Sequence, residues 1–362
     1  MENFIFAGCD LHEETLVIRM AVGQGRSERR TVRNNQVGRE KLIADLKKES
    51  QKQGGARIVF GYEASGQGFQ LHDQMVEAGI ECYVLAPTQM ESSVKQQRNK
   101  NDDRDAERIL KCLRSFKLAG EKLPRVWVPD RQTRDDRETV RARQDLADKM
   151  TSAKAQLRSL LQRHGIERPT TIGKPWTKSH RGWLAQLRDD SRRGLGFRTA
   201  LGSLLRQVDL LELEIKTLDE AVDQLSRQPH RQAIVDALDQ ETGIGRLTAT
   251  AYAVEVSDFT RFRRGRQVGA YWGMTPSSDE SGEIRDRKGH ITRQGSPRIR
   301  KLLCQATWYR VQNDAQVREV FQRLVNRNAK KKKIAVVACM RRLAVRLWHI
   351  GRQAQLAMKE AQ

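Results

Sequence analysis

Four carboxylates in this chain stand where they could share a cation. Asp10 follows the apolar run "FIFAGC" directly, and Glu63 follows "RIVFGY" in the same way. A carboxylate at the end of a buried strand is poorly solvated unless it has a cation, and two such strands side by side would converge their acids on one point. "NKNDDRDAERIL" supplies two more: Asp102 and Asp105 lie three apart at the head of a predicted helix, on one face of it. Together they would form a hard oxygen cage suited to Mg²⁺ or Mn²⁺ and to a two-metal phosphodiester site. Each acid alone has a structural reading. Asp102 or Asp103 could be the helix N-cap, with no other role for Asp103, and Asp10 and Glu63 could pair with arginines. The order Asp, Glu, Asp-x-x-Asp is far more specific than its parts.

A second group lies far downstream in "ESGEIRDRKGHITRQGSPRIRK", Glu280 to Lys301, which has no apolar run able to build a core. A serine hydroxyl is a weak nucleophile at neutral pH. It needs a base or a metal to take its proton and cations to hold the phosphate it attacks. Arg285, Arg287, Lys288 and Arg293 are placed to hold phosphate, with Arg298 and Arg300 following, and Gly282 would let the backbone approach DNA closely. Chemistry alone does not choose among Ser277, Ser278 and Ser281, and polar loop filler is the bland alternative for all three.

The elements that must position these groups fall into three stretches. The first alternates strands and helices: "FIFAGCDLH", "ETLVIRMAV", "RIVFGYEA" and "ECYVLAP" read as strands, "GREKLIADLKKESQKQG" and "GFQLHDQMVEAG" as helices. This is an α/β domain over residues 1–125. Residues 131–228 form a helical scaffold: Leu146, Met150, Ala153, Leu157 and Leu160, then Phe197, Leu201, Leu204, Val208, Leu211, Ile215, Leu218, Val222 and Leu225, keep a four-and-three spacing. That seam fits a dimer zipper and an intramolecular helical pair about equally. Residues 233–350 form a third, helical domain, with 351–362 as a tail. In it "ETGIGRLTATAYAVEV" reads as a Gly-Ile-Gly turn opening a helix, which aims free amides at a phosphate. Lys330, Lys331, Lys332 and Lys333 precede a basic amphipathic helix and add candidate phosphate contacts.

Composition narrows the function classes. Lys+Arg 67 against Asp+Glu 45 gives a formal net charge of +22, so polyanions, nucleic acid first, are the expected partners. The opening "MENFIFAGCDLHEE" is a short apolar stretch broken by charge, neither signal peptide nor membrane span. Five scattered cysteines (Cys9, Cys82, Cys112, Cys304, Cys339) with no CxxC pair argue for a reducing cytoplasm and against structural zinc. A cytoplasmic, nucleoid-associated protein is expected.

Several ordered motifs now carry a resemblance. "GCDLHEETL", "GYEASGQGF", "KNDDRDA", "FRRGRQVGAYWGMTPSSDESGE" and "GHITRQGSPRIRKLL" resemble the DEDD transposases of the IS one-ten and IS eleven-eleven insertion sequences, relatives of the Piv DNA invertase. The likeness covers most of residues 1–125 and 233–350. Asn101, and Thr292 with Arg293, replace the family's usual Thr and Ser-Lys but keep polar or cationic groups. The resemblance implies an RNase H-like (RuvC-like) first domain whose acids match Asp10, Glu63, Asp102 and Asp105. It implies a C-terminal transposase domain whose nucleophilic serine matches Ser281, and a structured non-coding bridge RNA as guide. The expected function is thus a recombinase acting on donor and target DNA through a phosphoserine link, as a dimer or tetramer. Its rivals are a metal-dependent nuclease or Holliday-junction resolvase using water, and a non-catalytic nucleic-acid scaffold. Four acids in this order argue against the scaffold, because negative charge repels the phosphate it would have to bind.

Overall fold

The computed structural model describes residues 3–90, 102–278, 288–326 and 331–361. The chain divides into two compact units, Met1–Pro129 and Asp130–Gln362.

The first unit is mixed α/β. Strands β1 (Phe4–Leu11), β2 (Thr15–Val22), β3 (Glu28–Arg33), β4 (Arg57–Glu63) and β5 (Glu81–Leu85) form one sheet in the order β3-β2-β1-β4-β5. β1, β2 and β3 pair antiparallel, whereas β4 joins β1 in parallel and β5 joins β4 in parallel. Phe4 to Cys9 are all buried, because both faces of β1 are covered. Ile5, Ala7 and Cys9 point into a core with Leu42 and Leu46 of α1 (Gln36–Lys52) and Leu71 and Met75 of α2 (Gln70–Glu77). Phe4 and Phe6 point the other way, against Ile109, Leu110 and Leu113 of α3 (Asp102–Leu118). The period-2 alternation of strand side chains therefore puts Asp10, in step with Phe4 and Phe6, on the α3 face.

Strand β3 is absent from the sequence-based expectation. Its residues, "ERRTVR", sit at the sheet edge with no buried position, so charge replaces the apolar signal that marks the inner strands.

The second unit is helical but for one hairpin. Helices α4 (Arg131–Arg163) and α6 (Leu195–Ser226) form an antiparallel pair, with α5 (Lys178–Asp189) packed at its far end. Leu157, Leu160 and Leu161 meet Leu184, Leu187, Phe197 and Leu201, and Met150 and Ala153 meet Val208. The four-and-three seam is thus closed within the chain. Leu211, Ile215 and Leu218 stay half-buried, and Leu210 and Leu213 are exposed.

The near end of the pair is tied to the rest of the unit by buried charge. Arg231 donates to Asp136 (2.7 Å), and Arg141 grips Glu255 with two hydrogen bonds of 2.9 and 3.2 Å. The C-terminal part follows as α7 (Gln232–Asp239), α8 (Arg246–Val256), α9 (Gly265–Tyr271), strands β6 (Pro276–Ser278) and β7 (Lys288–Ile291), α10 (Pro297–Asn313), α11 (Ala315–Asn326) and α12 (Lys332–Glu360). Helix α8 is buried on every side from Ala249 to Val256, and the Tyr252 hydroxyl donates to Ala344 O at 2.6 Å. Gly243 takes φ +78° in the turn before α8, the left-handed conformation glycine adopts without strain, so the Gly-Ile-Gly turn does open a helix.

Candidate active site

Helix α3 lies unusually close to the sheet, and two glycines make that possible. Gly8 and Gly61 are register partners on β1 and β4. A Cβ on Gly8 would fall no more than 3.0 Å from Ala106 O, Leu110 N and Leu110 Cα, and one on Gly61 would meet the Leu113 side chain at 3.0–3.4 Å. Each glycine stands two residues before an acid, Asp10 or Glu63, on the same strand face. The acids therefore emerge just past the point where α3 presses on the sheet. Asp102, Asp103 and Asp105 all occupy the first turn of α3, where carboxylates also complement the helix dipole.

The four sequence-selected acids come together as two pairs, each with a basic side chain. Asp10 and Asp102 share His12, whose Nε2 lies 3.1 Å from Asp10 Oδ2 and 3.4 Å from Asp102 Oδ1. The candidate ligand atoms of Asp10, His12 and Asp102 all lie within 4.8 Å of one another. Glu63 and Asp105 share Arg108, which is hydrogen-bonded to Glu63 and 3.4 Å from Asp105 Oδ1. Burial raises the Asp10 pKa, with the neighbouring Asp105 and Asp102 charges adding to the rise while His12 opposes it. Carboxylate oxygens with one imidazole are a donor set that a hard divalent cation fits. Asp103 is not merely a cap: it is ion-paired to Arg19, whose hydrogen bond lowers its pKa, and it lies 3.7 Å from Arg29. It points away from the acid pairs toward the antiparallel half of the sheet.

His12, Arg108, Gly8 and Gly61 were not singled out by sequence reasoning. The signal was present as Gly-x-Asp-x-His on β1, Gly-x-Glu on β4 and Asp-x-x-Arg on α3, spacings that share a face in each element.

Of the downstream group, Ser281, Arg285 and Arg287 lie outside the described residues, as does Lys330. Lys288 begins β7, which pairs with β6, and residues 279–287 between the two strands lie outside the described residues. The base of that hairpin is firmly set. Thr292 N donates to Thr275 O (2.9 Å), Arg293 N to Gly273 O (3.1 Å) and the Ser277 hydroxyl to His290 O (3.0 Å), so the Ser277 oxygen already serves the hairpin. Arg300 braces the same place from α10, donating to Trp272 O (3.2 Å) and Gly295 O (2.8 Å). Burial, then the charge of Arg293, lowers its pKa. Arg298 is ion-paired with Asp145 on α4. Arg293 is exposed, as are Lys331, Lys332 and Lys333, and Lys332 stands over the Trp308 ring at 5.7 Å. Among the described residues no helix is long and apolar enough to cross a membrane.

The DEDD-type model of the IS110 transposases, described as "Transposase", matches residues 7–166, and the model described as "Transposase IS116/IS110/IS902 family" matches residues 235–322. The chain is 29% identical over 322 residues to the putative transposase y4qE of Sinorhizobium fredii, covering 82% of this chain and 76% of that protein. It is 25% identical over 313 residues to the transposase for insertion sequence element IS1533 of Leptospira borgpetersenii, with 85% and 86% coverage. With the transposase for insertion sequence element IS1111A of Coxiella burnetii it shares 24% identity over 245 residues, 67% of this chain and 62% of that one. Two family models in the right order, one spanning the acid pairs and the other the serine hairpin, leave one conclusion: the chain belongs to the DEDD transposases of the IS110 family, divalent-metal-dependent enzymes that cleave and transfer DNA.

Proposed function

We propose that the chain is a DNA recombinase of an insertion sequence, guided by a structured bridge RNA, that cuts and rejoins strands through a covalent link to Ser281. The observation that carries the metal-dependent part is the meeting of Asp10 and Asp102 beside Glu63 and Asp105, from two strands and one helix of a sheet ordered as in RNase H-like domains. Mg²⁺ or Mn²⁺ held by these acids would supply Lewis-acid activation of the phosphate and of the attacking hydroxyl. The Ser281 Oγ attacks phosphorus, one P–O ester bond of the DNA breaks as the Ser–O–P bond forms, and the hydroxyl proton passes to the departing strand's oxygen. Rejoining to a second strand is the same step reversed. Exposed Arg293 and the Arg285–Lys288 stretch suit the phosphate.

The wild-type chain is expected to become attached to a cleaved DNA end in an adduct that survives denaturation. Ser281→Ala should lose the adduct and strand exchange while retaining binding of RNA, DNA and metal. Asp10→Ala or Glu63→Ala should abolish cleavage, and chelator should do the same reversibly. Cleavage by Ser281→Ala at a comparable rate would assign the nucleophile to water. That nuclease reading draws on one observation: the acid pairs are complete within Met1–Pro129.

Guidance and assembly have their own test. Chain purified from cells carrying the flanking DNA should bring one discrete RNA with it, and light scattering should report a dimer or tetramer. Leu213→Asp, on the exposed leucine face of α6, should lower that mass. A monomer, or a preparation free of RNA, would remove the corresponding part of the proposal.

A further inference from the structure

Each acid pair already has a cation-capable side chain, and the two are not alike. His12 touches Asp10 and Asp102 from an exposed position, its side chain 45% accessible. Arg108 sits deeper, 24% accessible, between Glu63 and Asp105, which are themselves only 25% and 28% accessible. It comes from the same helix as Asp105, one turn on, so α3 delivers both a carboxylate and its counter-charge to the same place. A guanidinium in that position takes the oxygens that a divalent ion requires, and the two cannot be held at once.

Arg108 also has somewhere else to go. Among the described residues its Nε is buried without a hydrogen-bond partner, so the guanidinium is incompletely satisfied by them. The same side chain lines a broad polar cavity of about 950 Å³ whose other walls carry the cations Arg19, Arg104, Lys111 and Lys122 and the carboxylates Asp103, Glu107 and Glu121, with Arg19 and Asp103 paired to each other. With Arg108 turned into it, this cavity would be net positive, and the phosphate backbone of DNA is an anion suited to such a wall.

We infer that Arg108 is a resident counter-ion: it holds Glu63 and Asp105 in the metal-free chain, competes with divalent metal for them, and on release turns into the neighbouring polar cavity to meet a DNA phosphate. This rests on the metal-dependent reading above. Such an exchange would keep Glu63 and Asp105 compensated until metal arrives and would couple metal entry to DNA contact.

The test is calorimetric titration of the full chain with Mn²⁺, alongside thermal unfolding in chelator and in Mn²⁺. Arg108→Gln is expected to bind Mn²⁺ on the order of tenfold more tightly, because no side chain has to be displaced. It should also melt several degrees lower than wild type in chelator and recover most of that loss in Mn²⁺. DNA affinity measured in Mn²⁺ should fall. Arg104→Gln removes the same unit charge from an exposed position one turn earlier and is expected to change Mn²⁺ affinity no more than about twofold. Equal tightening by Arg104→Gln would mean a general field effect and would overturn the role of Arg108. So would an unchanged or weakened Mn²⁺ affinity in Arg108→Gln. If neither wild type nor Arg108→Gln binds Mn²⁺, the metal reading itself falls and this inference falls with it.

Discussion

Replacing Gly8 with alanine is expected to lower stability by about 3 kcal/mol and to cut strand cleavage by about a hundredfold. The added methyl would meet Ala106 O and the backbone of Leu110, and neither can turn aside as a flexible side chain could. Helix α3 has to lift from the sheet, and it carries Asp102 and Asp105 with it while Asp10 and Glu63 stay on their strands. Lifting also loosens Ile109, Leu110 and Leu113, all fully buried. Gly182→Ala is the control: nothing lies within 4 Å of the new Cβ, and in the interior of α5 alanine should stabilise by about 0.5–1 kcal/mol. Denaturant unfolding and Mn²⁺ titration of both variants check the prediction. A Gly8→Ala chain with wild-type stability and metal affinity would show that the helix is not held at the distance described.

The second large effect lies at the root of the long helical pair. Asp136 and Arg231 are 2% and 4% exposed, and among the described residues the other side-chain acceptor of Arg231 is the Thr133 hydroxyl, at 3.5 Å. Asp136→Ala takes the bonded carboxylate from that buried guanidinium and leaves it the more distant charge of Asp130, which costs about 3 kcal/mol. Replacing both, Asp136→Leu with Arg231→Met, is expected to recover most of the loss, since a buried pair contributes little beyond what an apolar pair of similar volume provides. Urea unfolding of Asp136→Leu, Arg231→Met and the double variant, beside wild type, closes the cycle. If Asp136→Ala is as stable as wild type, water must reach Arg231.

How legible these features were in the sequence depends on what each one requires. The inner strands and the four acids were readable because burial forces an apolar run and because a charge ending such a run is conspicuous. Edge strand β3 was not, since nothing about an exposed "ERRTVR" demands a sheet until β2 is there to pair with it. The four-and-three seam fixed which residues of α4 and α6 are covered but not by what, because a heptad pattern looks the same whether its partner is the next helix or another chain. Arg108 was hidden for a related reason: an arginine three residues after an aspartate on a charged helix looks like a solvated pair, and only the approach of β4 turns it toward Glu63. Asp103 was read as a cap at most, and its partner Arg19 lies 84 residues away.

The α4–α6 pair has a consequence best stated as a length. At 33 residues, α4 is about 50 Å long, and at 3.4 Å per step that equals roughly 15 base pairs of duplex. Any nucleic acid touching both the root and the tip must cover about one and a half turns. The pair is also a ruler with fixed graduations: seven residues added to each helix keep the packing phase and move the tip by about 10 Å, or three base pairs. Additions of other sizes would rotate the tip out of line before lengthening its reach.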